Sequence, residues 1–265
     1  MDIILILKTI VMGLVEGATE FLPISSTGHL IITADWLGFL SKEKRDVFEI
    51  IIQLGAILAV VWQYRVKVTH VVSHLHQEKS RQLVVNLFIA FLPLALIGLA
   101  FHHQIKALLF NPKSVAIALI VGGFIIFWIE KKLPKVTIYS VDDMDWKLAL
   151  KVGFAQAIAL IPGASRAAST IMGGMIFGLS RTVATEFSFF LAIPVMFAAT
   201  VFDLYKSREL LEANDLLIFF IGFVTAFISA LIVIRVLIRY IAHHDFTPFA
   251  WYRIVFGAIV LFYYW

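Results

Sequence analysis

The stretch GLVEGATEFLPISSTGHL, residues 13–30, decides how this chain folds. It lies inside an apolar run, residues 3–37, of the kind that enters a bilayer. Yet it holds Glu16, Glu20, Ser25, Ser26, Thr27 and His29. An ionised side chain at membrane depth costs at least about 2.5–3.5 kcal/mol on insertion scales. Glu16 and Glu20, four residues apart, share one face of a helix, and two like charges there must share a proton or a cation. Pro23 then breaks the helix. The stretch reads as a helix, a break and a second helix, with its polar groups lining a cavity.

The rest of the chain supports a membrane setting. Of its 265 residues 61% are hydrophobic and 15% charged, with a mean hydropathy of +0.92. Soluble domains are about 45–50% apolar. There is no cysteine, which excludes disulfide and thiol chemistry. The net charge of +4 comes from Lys and Arg in short loops, where they orient a membrane protein and do not point to nucleic acid. The N-terminal MDIILILKTI lacks the basic start of a signal peptide, so the first apolar segment is expected to be retained.

Six segments are expected to span: 48–64, 84–101, 115–129 (extending outward), 187–205, 216–234 and 249–265. A second interrupted region, 148–179, breaks at IPGASRAAST as the first breaks at FLPISSTG. The two halves run parallel in the same order, roughly 135–140 residues apart, through VEGATEFLPISSTGHLII and AQAIALIPGASRAASTIM, then FEIIIQLGAILAVV and EFSFFLAIPVMFAATV. The expected fold is an all-α polytopic membrane protein of one domain, 1–265. Its first repeat is 1–129, with a re-entrant hairpin at 3–37. Its second is 148–265, with a hairpin at 148–179 and inverted topology, since each half has three spans. The basic stretch 65–81 is read as a cytoplasmic loop, and the near-neutral stretch 206–215 as external. EKKLPK and residues 235–244 then fall inside, and both termini outside. His70, His74 and His76 read as residues of a solvated loop. His102–His103 and His243–His244 read as interface residues, and Glu186 as a cap or pairing residue near the inner surface.

Chemistry concentrates at the two breaks. Glu16 and Glu20 read either as residues near a helix end or as a pair that holds a divalent cation or acts as a general base. Ser25, Ser26 and Thr27 read as helix caps or, at a helix N-terminus with free N–H donors, as phosphate ligands, with a serine near a carboxylate or His29 as nucleophile. Arg166 needs an anionic partner, which is either Glu16 or Glu20 or a substrate phosphate, with Ser165 and Thr170 as further donors. Gln53, in the span after the first hairpin, is within reach of the cavity.

At EGATEFLPISSTGH (residues 16–29) and PGASRAAST (162–170), and through FEIIIQLGAILAVV, the sequence resembles the undecaprenyl-diphosphate phosphatases, also called bacitracin-resistance proteins. The resemblance covers essentially the whole chain. It implies removal of the terminal phosphate from a C55 polyprenyl diphosphate, which recycles the carrier lipid of peptidoglycan synthesis. It further implies a multi-pass protein of the bacterial inner membrane with the site open to the outer face, and competition with bacitracin for the lipid. Carried over by position, it implies that Glu16, Glu20, Ser26, His29 and Arg166 are catalytic and that Ser165 and Thr170 touch phosphate. Ser25, Thr27 and Gln53 are expected from their own placement to touch substrate as well. Glu16 and Glu20 are the expected ligands of a magnesium or calcium ion. Many members carry a serine directly after the arginine, where this chain has Ala167. A homodimer is compatible with this reading. A polyprenyl-phosphate flippase, alone or combined with the phosphatase, is the alternative, because broken helices meeting at the midplane are also a transporter architecture.

Overall fold

The computed structural model describes residues 2–109, 111–206 and 215–265, apart from the side chains of 102–109. Among the described residues there are eleven α-helices, two short 3-10 turns and no sheet, only an isolated bridge between Ile138 and Leu179. The helices are α1 Ile3–Thr19, α2 Ser26–Leu37, α3 Lys42–Gln63, α4 Arg65–Ser73, α5 Glu78–Leu109 and α6 Pro112–Lys131. They continue with α7 Trp146–Gln156, α8 Arg166–Ile176, α9 Arg181–Lys206, α10 Leu216–Ile241 and α11 Thr247–Tyr263. Their starts follow local chemistry. Asp2, Asn111 and Asp145 accept the exposed N–H groups of α1, α6 and α7, and Pro112 opens α6 where no donor is needed.

Five helices, α3, α5, α6, α9 and α10, are long and apolar enough to cross a membrane, so the protein is multi-pass. The sixth expected span is α11, and it has 17 residues. At 1.5 Å per residue that is about 26 Å, short of a hydrocarbon core of about 30 Å. The stretch 65–81 is not a plain loop. It folds into α4 and the first turn of α5, with the rings of His70 and His74 stacked at 4.4 Å. Glu186 pairs with Lys67 at 3.7 Å. His243 and His244 follow the end of α10, where the His244 ring stacks on Tyr240. Residues 207–214 of the stretch read as external, and the side chains of His102 and His103, lie outside the described residues.

Small residues set the packing. A Cβ at Gly17 would stand 2.4 Å from the Ala226 carbonyl oxygen, so α1 lies directly against α10. A Cβ at Gly153 would stand 2.6 Å from the Ala90 carbonyl oxygen, and α7 lies against α5 in the same manner. Apolar association in lipid lacks the drive it has in water, and such close backbone contact supplies van der Waals attraction instead. The other large contacts are α3 with α10 and α6 with α11. The outward faces carry exposed Leu7, Phe88, Leu96, Phe124, Phe220 and Ile232, as a lipid-facing surface requires. Inside, Phe21 leads out of α1 and packs edge-on against Phe189 of α9 at 5.4 Å, which seats the first break against the core.

Candidate active site

The two breaks end in the same backbone device. Ser25 has φ of 71° and Ser165 has φ of 74°, in the left-handed region that L-residues rarely occupy. Each turns the chain into a new helix and caps it. Ser25 Oγ accepts the Gly28 N–H at 3.4 Å, and Ser165 Oγ accepts the Ala168 N–H at 3.2 Å. The N–H groups before those, of Ser26 and Thr27 on α2 and of Arg166 and Ala167 on α8, precede any intrahelical acceptor. Each turn therefore presents free backbone donors at a positive dipole end. The missing hydroxyl at Ala167 leaves that backbone donor in place.

Across these two helix starts runs one polar chain. The Ser26 hydroxyl donates to Glu20 Oε2. The other oxygen of Glu20 accepts from Arg166 Nη2 at 3.2 Å. Arg166 Nη1 in turn donates to the Ser188 carbonyl at 3.0 Å and to its hydroxyl at 3.4 Å. Glu20, Ser26 and Ser188 are buried, so the chain is shielded from water. A hydroxyl bonded to a carboxylate, which is itself oriented by a third group, is the arrangement that activates a nucleophile. The Arg166 fork is only partly used, and its Nε is buried without a hydrogen-bond partner.

Glu16 lies one turn before Glu20 and is 1% exposed. Neither of its carboxylate oxygens has a hydrogen-bond partner. A buried carboxylate without a partner costs more than almost any other single group. It lies within electrostatic reach of Glu20, Glu49 and Arg166. Two hard oxygens on Glu16 beside the Glu20 carboxylate suit magnesium or calcium in donor type. The residues thus fit a divalent cation, although no group of three or more acidic or histidine side chains among the described residues is arranged to hold one.

Three further expected residues have these placements. Among the described residues no hydrogen bond joins Ser26 to His29. Its Nδ1 donates to the Ser25 carbonyl at 2.7 Å, and its Nε2 pairs with the Tyr252 hydroxyl at 2.6 Å. Its ring stacks on Phe256 at 4.2 Å. One helical turn places the imidazole over its own cap. Thr170 is fully buried and donates its hydroxyl to the Arg166 carbonyl at 2.9 Å, so the proton expected for a phosphate is already taken by the helix. Gln53 is half-buried on α3, and among the described residues no hydrogen bond joins it to Glu20, Ser26 or Arg166. Thr27 lies in the first turn of α2, beside its free N–H.

Sequence reasoning missed Arg253. It is fully buried, and its guanidinium donates to five backbone carbonyls. Pro23 belongs to the first break, Gly163 and Ala164 to the second, and Ala118 and Leu119 to α6. The distances are 3.0–3.2 Å. One side chain thus clasps both breaks against α6 and sets the distance between Ser26 and Arg166. Its signal was present in the sequence, since an arginine within the apolar stretch FAWYRIVFG at 249–257 needs internal partners. Ser188 and Tyr252 carry no such signal, because a lone hydroxyl in an apolar helix is ordinary.

The chain as a whole matches known proteins. Residues 9–259 match the family described as bacitracin resistance protein BacA. The undecaprenyl-diphosphatase of Nitrosospira multiformis is 59% identical over 98% of this chain and 96% of its own length. The undecaprenyl-diphosphatase of Nitrosomonas europaea is 58% identical over 98% of this chain and 95% of its own. The undecaprenyl-diphosphatase 2 of Rhodospirillum rubrum is 56% identical over 98% and 96%.

Proposed function

Since the chain belongs to the bacitracin resistance protein BacA family, we propose that it is a membrane hydrolase that removes the terminal phosphate from undecaprenyl diphosphate. The observation that carries the chemistry is the chain Ser26–Glu20–Arg166 across two helix N-termini. The free N–H groups of α2 and α8 and the unused donors of Arg166 receive the diphosphate. Ser26 Oγ attacks the terminal phosphorus as its proton passes to Glu20. The bond to the bridging oxygen breaks, and undecaprenyl phosphate leaves. Glu20 gives the proton it took to the departing undecaprenyl phosphate. Water then attacks the phosphoserine, Glu20 takes a proton from that water and hands it to Ser26 Oγ as the serine P–O bond breaks, and inorganic phosphate and free Ser26 result. Arg166 stands where charge develops on the transferring group, and in phosphoryl transfer such positioning supplies most of the rate. A magnesium or calcium ion held by Glu16 and Glu20 would offset the charge of the diphosphate. Arg253 positions the two breaks and touches no reacting atom.

The same reading takes the architecture as an inverted repeat, 1–129 against 148–265, with the site open to the outer face of the bacterial inner membrane. Supporting it are the matched serines at positive φ and the crossed packing of α1 on α10 and α7 on α5. The test is phosphate release from undecaprenyl diphosphate by detergent-purified protein, where no second compartment exists. Trapping of radiolabelled phosphate on Ser26 after acid quench is expected, and an active enzyme that never labels would assign attack to water.

A further inference from the structure

On α3, Arg45, Glu49 and Gln53 recur every four residues within a span whose other inward residues are apolar. None of the three has a part in the mechanism above. The stripe begins near the N-terminal end of the helix, three residues after its start, and runs along α3, which packs against α1. Arg45 Nε stands 3.9 Å from Glu49 Oε1, and the two side chains are 25% and 24% exposed. That contact is long for an ion pair and one-pronged, so it holds Glu49 weakly. Across the helix interface lies Glu16, buried, with both oxygens unpartnered and within electrostatic reach of Glu49. Other charges near this end of α3 are Lys42, Glu43 and Asp46, all exposed, and Lys44, which is paired with Asp215 of the α10 cap at 2.9 Å.

We propose that Glu49 is the access carboxylate of the Glu16 cation site, drawing a divalent cation from the outer surface along α3 to Glu16, with Arg45 as its competing internal counter-ion. A third carboxylate is then present beside a buried pair. Its role is to add negative potential near the start of α3, and it completes no closed ligand cage. Affinity of oxygen-ligand sites is tuned by the charge gathered around them, so a neighbouring carboxylate raises it and a neighbouring guanidinium lowers it. The inference rests on the cation described under the proposed function and is independent of the identity of the nucleophile.

The test is calcium binding to the full-length protein in detergent, followed by titration calorimetry and by the calcium-induced rise in the thermal midpoint, with no substrate present. Glu49→Gln is expected to weaken calcium by about tenfold or more and to shrink the thermal shift. Arg45→Gln is expected to act in the opposite direction, tightening calcium by a few-fold. If Glu49→Gln binds calcium as the wild type does, or if Arg45→Gln leaves the affinity unchanged, the role of Glu49 is overturned. Arg45 lies in the first turn of α3 and is partly exposed, so its variant tests the idea even if Glu49→Gln folds poorly. Glu16→Gln separates the two levels of the argument. Loss of binding in Glu16→Gln but not in Glu49→Gln sinks the access carboxylate alone. A wild type that binds no calcium overturns both the inference and the cation, while serine-based phosphoryl transfer stands or falls by the labelling of Ser26.

Discussion

The two breaks are built alike and equipped differently. Each runs from a helix through a short turn to a serine at positive φ, and each serine caps the helix that follows. At the next position the first break has Ser26 and the second has Arg166. In the last two turns before the first break stand two glutamates, and at the matching places of the second stand Gln156 and Leu160. The backbone device, which aims N–H donors at an anion, is common to both. The group that attacks is on one side and the group that steadies is on the other. A site with two halves of this kind gathers opposite chemistries without crowding like charges on one helix.

The sharpest way to break this comparison is Ser26→Ala. If the first break supplies the nucleophile, phosphate release falls by about a thousandfold or more, while affinity for undecaprenyl diphosphate changes little. Loss of one hydrogen bond to a charged partner costs up to about 3 kcal/mol, roughly a hundredfold in rate. A variant that keeps more than a tenth of the wild-type rate removes Ser26 as nucleophile and leaves attack to water activated by Glu20.

Arg166→Lys probes the other half. Charge is kept, but the planar fork that reaches Glu20 and Ser188 together is lost. A fall of about a hundredfold in kcat/KM is expected, shared between binding and turnover. Near-normal kinetics in a folded Arg166→Lys protein would show that the second break contributes only its backbone.

The next expectation concerns the clasp between the halves. Arg253→Met leaves five carbonyls without their donor, so the thermal midpoint in detergent is expected to fall, corresponding to about 3–5 kcal/mol. Arg253→Lys restores charge and up to three donors, and is expected to recover much of the stability but less of the rate. Equal recovery of both would mean that the spacing of the breaks does not matter to the chemistry.

The smallest effects sharpen the likeness of the two turns. Ser25→Gly and Ser165→Gly each relieve a positive φ worth about 1–3 kcal/mol and lose a cap worth a few tenths against glycine. Both variants are therefore expected to be as stable as the wild type or slightly more so, and a marked drop in either midpoint would show that its serine carries more than a cap. Thr170→Ser, which keeps the bond to the Arg166 carbonyl, is expected to leave the rate within about threefold.

Much of this was legible in the chain. Apolar runs of span length, broken by proline and glycine beside hydroxyls, required helices and turns, because a bilayer leaves the backbone no other partner. Glu16, Glu20, Ser26 and Arg166 stood out for the cost of burying them, and the structure places Ser26, Glu20 and Arg166 in one hydrogen-bonded chain. His29 and Thr170 each take a local backbone partner for one reason. Their short-range options, a carbonyl four residues back in each case, are as close as any substrate and always available.

The sequence by itself determined the membrane setting, the helical class and the residue types at the breaks, since each follows from local composition and the cost of polar groups in lipid. Tertiary structure alone decided which partner each group takes. Glu20 bridges Ser26 and Arg166 across 146 residues of chain, and Arg253 reaches back 230 residues to Pro23. Those pairings depend on how closely α1 and α10, or α6 and α11, approach through their glycines. Such distances arise from the fit of whole helix surfaces, a physical quantity that no single stretch of sequence carries.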